Sequence, residues 1–232
     1  MDVKSAFLQG TPLNRYVYME KELKSFGMKS ISGDYAFFSM NKEGELQGMT
    51  VLHVDDFLVA GNQDFIRMIG QKFKKKFTFG KTELGQFKFT ALNIEHTETG
   101  IYVDQIDYIH SIQSISSYRM DVHEDEALTK DEFRSYRALT GQLNWAAENT
   151  RPDIAFDVRF LATRNKSAQI NDIKSANKIL RRAQFEDVRI KYSKLGSWKN
   201  LKLVSYTDSS FKNSEDKVKS GGGRVSFLVN SL

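Results

Sequence analysis

The chain has 232 residues, a formal net charge of +5 and 40% hydrophobic residues, enough to bury a sizeable core in one large or two small domains. It has no cysteine, which excludes disulfides and thiolate metal sites. The modest positive excess is compatible with a polyanionic partner without specifying one, and with no apolar run long enough for a membrane span or a signal sequence the expectation is an intracellular chain with no membrane partner.

Residues 1–10, with Asp2, Phe7 and a closing Gly10, predict a short strand running into a turn, and Thr11-Pro12-Leu13-Asn14 a loop. Tyr16, Met19, Leu23 and Phe26 recur every three or four positions, so a helix of about three turns is expected over 16–28. Gly27 and Ser32-Gly33-Asp34 end it. Three strands follow. The first, 35–40, turns at Asn41-Lys42-Glu43-Gly44 into 46–54, and that strand bends into 57–60. The bend is Leu52-His53-Val54-Asp55-Asp56-Phe57-Leu58, two adjacent carboxylates between apolar runs. Burying acids beside Val and Phe is costly unless a cation or hydrogen-bond donors compensate them. A bend presenting both carboxylates therefore suggests a divalent metal. A solvated acidic turn is the plainer reading, since Asp is a common turn residue.

Asn62 is placed to cap a helix whose apolar face is Phe65, Ile66, Ile69, Phe73 and Phe77. Lys72, Lys74, Lys75 and Lys76 close it, either as a phosphate-facing patch or as a solvated helix end favoured by the macrodipole. Residues 87–95 and 101–103 predict a hairpin turning at Glu98-Thr99-Gly100, and Asp104 opens a short helix reaching Ile112. The polar, aperiodic stretch 117–130, with His123-Glu124-Asp125-Glu126, reads as a flexible acidic linker. Phe133, Tyr136, Leu139, Leu143 and Ala146 have helical spacing; Thr150-Arg151-Pro152-Asp153 breaks that helix, and helices over 153–164 and 170–185 follow. Lys178, Arg181 and Arg182 on the last are a solvated face. The period then switches to two in 188–192, 201–206 and, after a flexible turn at Ser220-Gly221-Gly222-Gly223, 224–229. No Lys-Ser/Thr follows those glycines, which excludes a phosphate loop. Ending on a strand leaves unpaired backbone groups, so a sheet cut short is expected.

Four segments in order resemble the polymerase region of copia-type retrotransposons. Asp2-Val3-Lys4-Ser5-Ala6-Phe7-Leu8-Gln9-Gly10 is similar to the first catalytic-aspartate motif of their reverse transcriptase, and His53-Val54-Asp55-Asp56-Phe57-Leu58 to the paired-aspartate hairpin. Tyr136-Arg137-Ala138-Leu139-Thr140-Gly141 through Thr150-Arg151-Pro152-Asp153-Ile154 resembles the stretch joining polymerase to ribonuclease H. Tyr206-Thr207-Asp208-Ser209-Ser210-Phe211 resembles the opening of the ribonuclease H domain.

The resemblance implies an α+β chain: a truncated reverse-transcriptase palm-like sheet with helices over 1–116, a linker over 117–130, a helical thumb or connection-like region over 131–187, and an incomplete ribonuclease H-like sheet over 188–232. It implies RNA-directed DNA polymerase chemistry on an RNA or DNA template-primer and dNTPs. In that chemistry Asp2, Asp55 and Asp56 are the catalytic ligands of two divalent ions, Mg2+ or Mn2+. Phe7 would select deoxynucleotides by crowding a ribose 2′-hydroxyl, with core packing as its other reading, and Asp208 would be the first ribonuclease H carboxylate. The sequence departs from the family in ways that matter. It begins at the first motif, without the basic fingers region. Asp2 and Asp55 are 55 − 2 = 53 positions apart, too few for the family's aromatic-Gly-Leu…Ala…Arg…Trp segment that shapes the nucleotide pocket. Phe89-Thr90-Ala91-Leu92 stands where the family has a Leu-Gly pair. The expectation is a fragment that does not catalyse alone, the alternative being a non-enzymatic nucleic-acid-binding remnant of the same element.

Overall fold

A computed structural model describes residues 15–54, 56–77, 80–117, 119, 124–196, 200–210 and 221–230. The chain divides into two compact units, Met1–Thr90 and Ala91–Leu232. This boundary differs from the expected break at 117–130, for a reason that lies in the second unit.

The first unit holds α1 (Arg15–Ser25), β1 (Lys29–Ile31), β2 (Asp34–Lys42), β3 (Glu45–His53), β4 (Asp56–Gly61), α2 (Gln63–Lys76) and β5 (Gln86–Phe89). Strands β1 to β4 form an antiparallel meander in chain order. Period-two alternation buries Gly48, Thr50 and Leu52 of β3, and the register Phe38↔Thr50 and Leu52↔Phe57 puts Phe38 and Phe57 on the same face. Against that face α2 lays Phe65, Ile69 and Phe73, one per turn, and α1 supplies Met19 and Leu23. The Phe57 and Phe73 rings meet at 4.6 Å and Phe26 and Phe73 at 5.8 Å. Each such side chain contributes about 1.5–3 kcal/mol by leaving water.

Asn62 starts α2 as its position predicts. Its side-chain oxygen accepts from the Phe65 N–H at 2.8 Å, while its amide nitrogen donates to Gln47 Oε1 and its backbone N–H to the Gln47 carbonyl. These bonds bring the first turn of α2 down onto the cross-strand pair Gly48↔Gly61. A Cβ at Gly48 would lie 2.1 Å from the Phe65 ring, and one at Gly61 2.6 Å from it. Both positions require glycine because the ring occupies the space.

The second unit comprises β6 (Leu92–Thr97), β7 (Gly100–Asp104), α3 (Ile106–Ser111), α4 (Lys130–Asn149), α5 (Ala155–Thr163), α6 (Ile170–Phe185), β8 (Ile190–Ser193), β9 (Lys202–Ser210) and β10 (Gly221–Val229). Its core lies among α3 to α6, with Tyr136, Leu139, Leu143, Ile154, Val158, Leu161, Ile173 and Leu180 buried together. Helix α4 opens with a reciprocal capping box between Thr129 and Glu132.

Four expectations change here. Residues 124–129 are not a free loop: the Glu124 and Glu126 carbonyls accept from the Asn171 and Ile170 N–H groups, Lys174 pairs with Glu124, and Arg119 bridges Glu126 and Glu132. The open N-terminus of α6 needs acceptors, and this acidic stretch supplies them. Strand β8, expected to open the ribonuclease H-like sheet, pairs antiparallel with β7. Arg189 explains it, reaching Asp104 at 3.0 Å and Glu95 at 2.5 Å and lying 4.9 Å from the Tyr102 ring centre. Asp104 ends β7 rather than opening a helix; its carboxylate accepts from the Ile106 N–H and from Asn93. Gly221, Gly222 and Gly223 belong to β10, paired with Ser210, Ser209 and Asp208, since the ladder is continuous through them.

Candidate functional site

Between β3 and β4 the register His53↔Asp56, Val51↔Leu58, Met49↔Ala60 sends these residues to the face opposite the helices. Asp56, the first residue of β4 and half-buried, thus stands across from His53 on the face opposite α1 and α2. The His53 ring meets Phe89 edge-on at 6.3 Å. The sequence predicts both acids in the bend; the structure places Asp56 in the strand. Val54, φ 55°, takes the left-handed conformation that a tight hairpin needs. For a β-branched residue that conformation costs on the order of 1–3 kcal/mol, and such strain clusters at functional sites. Val54 is also exposed. Asp55, Asp2 and Phe7 lie outside the described residues.

Among the described residues, the hairpin end of this face offers the Asp56 carboxylate and the His53 imidazole. Among the described residues no group of three His, Cys, Asp or Glu could hold a metal ion. The described donors do not by themselves fit a pair of hard cations, which need several oxygen ligands.

The other motif residues have structural partners. Tyr136 donates to the Leu161 carbonyl at 2.8 Å, and burial pushes its phenol up to about 12. Thr150 donates to Gln105 Oε1 at 2.9 Å. Arg151, only 1% exposed, grips Asp153 through two bonds of 2.8 Å and donates to the Ala183 and Glu186 carbonyls at the end of α6. A guanidinium suits that socket because it can satisfy a carboxylate and two helix-terminal carbonyls at once. Its hydrogen bonds hold the Asp153 carboxyl below the usual carboxylate range. Thr150-Arg151-Pro152-Asp153 is thus a lock between α4, α5 and α6. The spacing of Arg151 and Asp153 around a proline was the available signal; the partner carbonyls on α6 were not visible in sequence.

Asp208 sits in β9 opposite Gly223, exposed. Of the lysines ending α2, Lys72 donates to the Phe26 carbonyl and lies 5.1 Å from the Phe26 ring centre, and Lys76 pairs with Glu22 at 3.2 Å. They tie α2 to α1. Lys74 and Lys75 are exposed without an ion pair among the described residues.

The chain is similar to a Ty5-1 transposon protein of Saccharomyces cerevisiae, 26% identical over 239 residues that span 96% of this chain and 75% of that protein. The similarity supports a retrotransposon-related origin. No family profile matches the chain, and no solved structure matches it. The hairpin and the lock both fall inside the stretch shared with the yeast protein, since the similarity spans nearly the whole chain.

Proposed function

We propose that the chain derives from a retrotransposon reverse transcriptase and that the β3–β4 hairpin descends from its nucleotidyl-transfer site. The observation that supports this most is the placement of Asp56 at the head of β4, on the sheet face opposite α1 and α2, beside a turn in which Val54 is left-handed. In this reading Asp2, Asp55 and Asp56 are the ligands of two Mg2+ ions, with Mn2+ as a substitute, and the partners are a template-primer and dNTPs. Phe7 is the deoxynucleotide-selecting aromatic and Asp208 a ribonuclease H remnant.

Such catalysis depends on positioning and preorganised electrostatics. The interval between Asp2 and Asp55 lacks the segment that would shape the base pocket, so we expect no processive synthesis by the chain on its own. Template-primer extension with Mg2+ and with Mn2+ measures this directly. Robust extension that vanishes in Asp55→Asn would overturn the expected inactivity while supporting the site. Absence of extension, together with binding that is indifferent to Asp55→Asn and falls steeply as salt rises, favours the second reading, a non-enzymatic nucleic-acid-binding remnant.

A further inference from the structure

Helix α5 carries an unusual outward face. Its inward residues Val158 and Leu161 are buried, as is Ile154 just before it. Phe156 and Phe160, one turn apart, are 80% and 56% exposed. Side chains at i, i+3 and i+4 share a helix face, so Arg159 and Phe160 both neighbour Phe156 on this face. The Arg164 guanidinium follows, 6.0 Å from the Phe160 ring centre. The only acid on α5, Asp157, is engaged by Arg182 at 2.7 Å. Arg159 has no ion-pair partner among the described residues. Exposed apolar residues scattered singly are ordinary on protein surfaces. Two exposed phenyl rings beside an arginine, on a helix whose one acid is engaged, are a different arrangement.

We propose that this face of α5 holds single-stranded nucleic acid, with bases stacked on Phe156 and Phe160 and a backbone phosphate at Arg159. The proposal rests on the nucleic-acid reading above and adds to it a place and a strandedness. Unpaired bases offer open π-faces to aromatic side chains, whereas in a duplex those faces are covered by the stack. A guanidinium beside the stacked rings suits a backbone phosphate of the same strand. An apolar protein surface docked here would leave Arg159 desolvated and unpaired, which is costly. The positive, acid-poor face matches a polyanion.

The test uses the full chain and fluorescence anisotropy with a labelled oligothymidylate of about 20 nucleotides, alongside a labelled hairpin duplex. Replacing both rings, as Phe156→Leu with Phe160→Leu, keeps apolar bulk but removes the π-faces, and should weaken single-strand binding by about tenfold or more. The pair Phe156→Tyr and Phe160→Tyr should bind like the parent, and Arg159→Gln should reduce the salt dependence. Both rings are exposed, so unchanged thermal unfolding is expected for all variants. If the parent binds neither probe at low salt, the nucleic-acid reading and this proposal both fall. If the parent binds the single strand and the leucine pair binds it equally well, only the proposal falls. Equal loss on the duplex would also overturn it, because the contact would then not be base stacking. So would a leucine pair that converts a parent dimer to a monomer without changing oligonucleotide affinity, since the face would then serve a second copy.

Discussion

At the scale of single residues, strain marks Val54, Thr90 and Ala91, and burial marks Tyr136 and Arg151. Thr90 and Ala91 both adopt left-handed φ angles, 49° and 63°, the conformation that favours glycine. Each such L-residue costs on the order of 1–2 kcal/mol. Ala91→Gly is therefore expected to stabilise the chain by about 1 kcal/mol after the larger unfolded-state entropy of glycine is allowed for; a urea midpoint that stays put or falls would contradict it. Titration gives a second expectation at this scale. Hydrogen bonds from Arg151 hold the Asp153 carboxyl low. For Glu132 burial works the other way, but bonds from Thr129 and Ser117 and the charge of Arg119 outweigh it, and its carboxyl is also low. A depressed carboxyl contributes stability that is complete above its unfolded value and lost as pH falls through the folded one. Tyr136 has the opposite sign, raised to about 12 by burial, so its contribution is complete below about pH 10 and is lost as pH rises toward 12. Stability measured by denaturant should thus fall below about pH 4 and again in strong alkali. Asp153→Asn should flatten the acid limb and Tyr136→Phe the alkaline one, and an acid limb unchanged in Asp153→Asn would remove Arg151–Asp153 from the account.

At the scale of elements, the seating of α2 on the sheet depends on the absence of two side chains. Gly48→Ala would drive a methyl into the Phe65 ring and is expected to cost about 1–3 kcal/mol. Combining it with Phe65→Leu should cost less than the sum of the two single changes, because the residues share one space; strict additivity would argue against the close approach. Period and capping signals made most of these elements legible. Helix α6 occupies the span expected, Asn62 caps α2, and the Phe65, Ile69 and Phe73 stripe faces the sheet. The departures have a common physical origin in tertiary partners that carry no local signal. Acidic residues 124–126 read as a linker because their carbonyl acceptors are invisible in composition. Strand β8 read as the start of a new domain because Arg189 finds Asp104 and Glu95 far back in the chain. At the candidate site the sequence pointed to the hairpin, while the strand position of Asp56 depended on Val54 taking the strained turn conformation.

At the scale of the molecule, stability is unevenly distributed. Strands β9 and β10 pair over nine positions, from Lys202↔Val229 to Ser210↔Gly221, yet form a two-stranded sheet of their own. Leu203 and Leu228 are exposed on one face, Tyr206, Val225 and Phe227 on the other. Two-stranded ribbons are marginal in water. Their amides should exchange with solvent far faster than those of α4 and α6, and protection equal to that of the helices would contradict this. The pairing of β7 with β8 has a different consequence, one of order in time. Gly100 faces Ser193 across the sheet, and all of α3, α4, α5 and α6 lie within the loop that this contact closes. A chain emerging from a ribosome can fold the β6–β7 hairpin early, but that edge of β7 stays open until the whole bundle has been made. Contacts so distant in sequence form late and slowly, and an open strand edge is a template for wrong partners while it waits. Arg189, arriving just ahead of β8, is the residue that ends the wait.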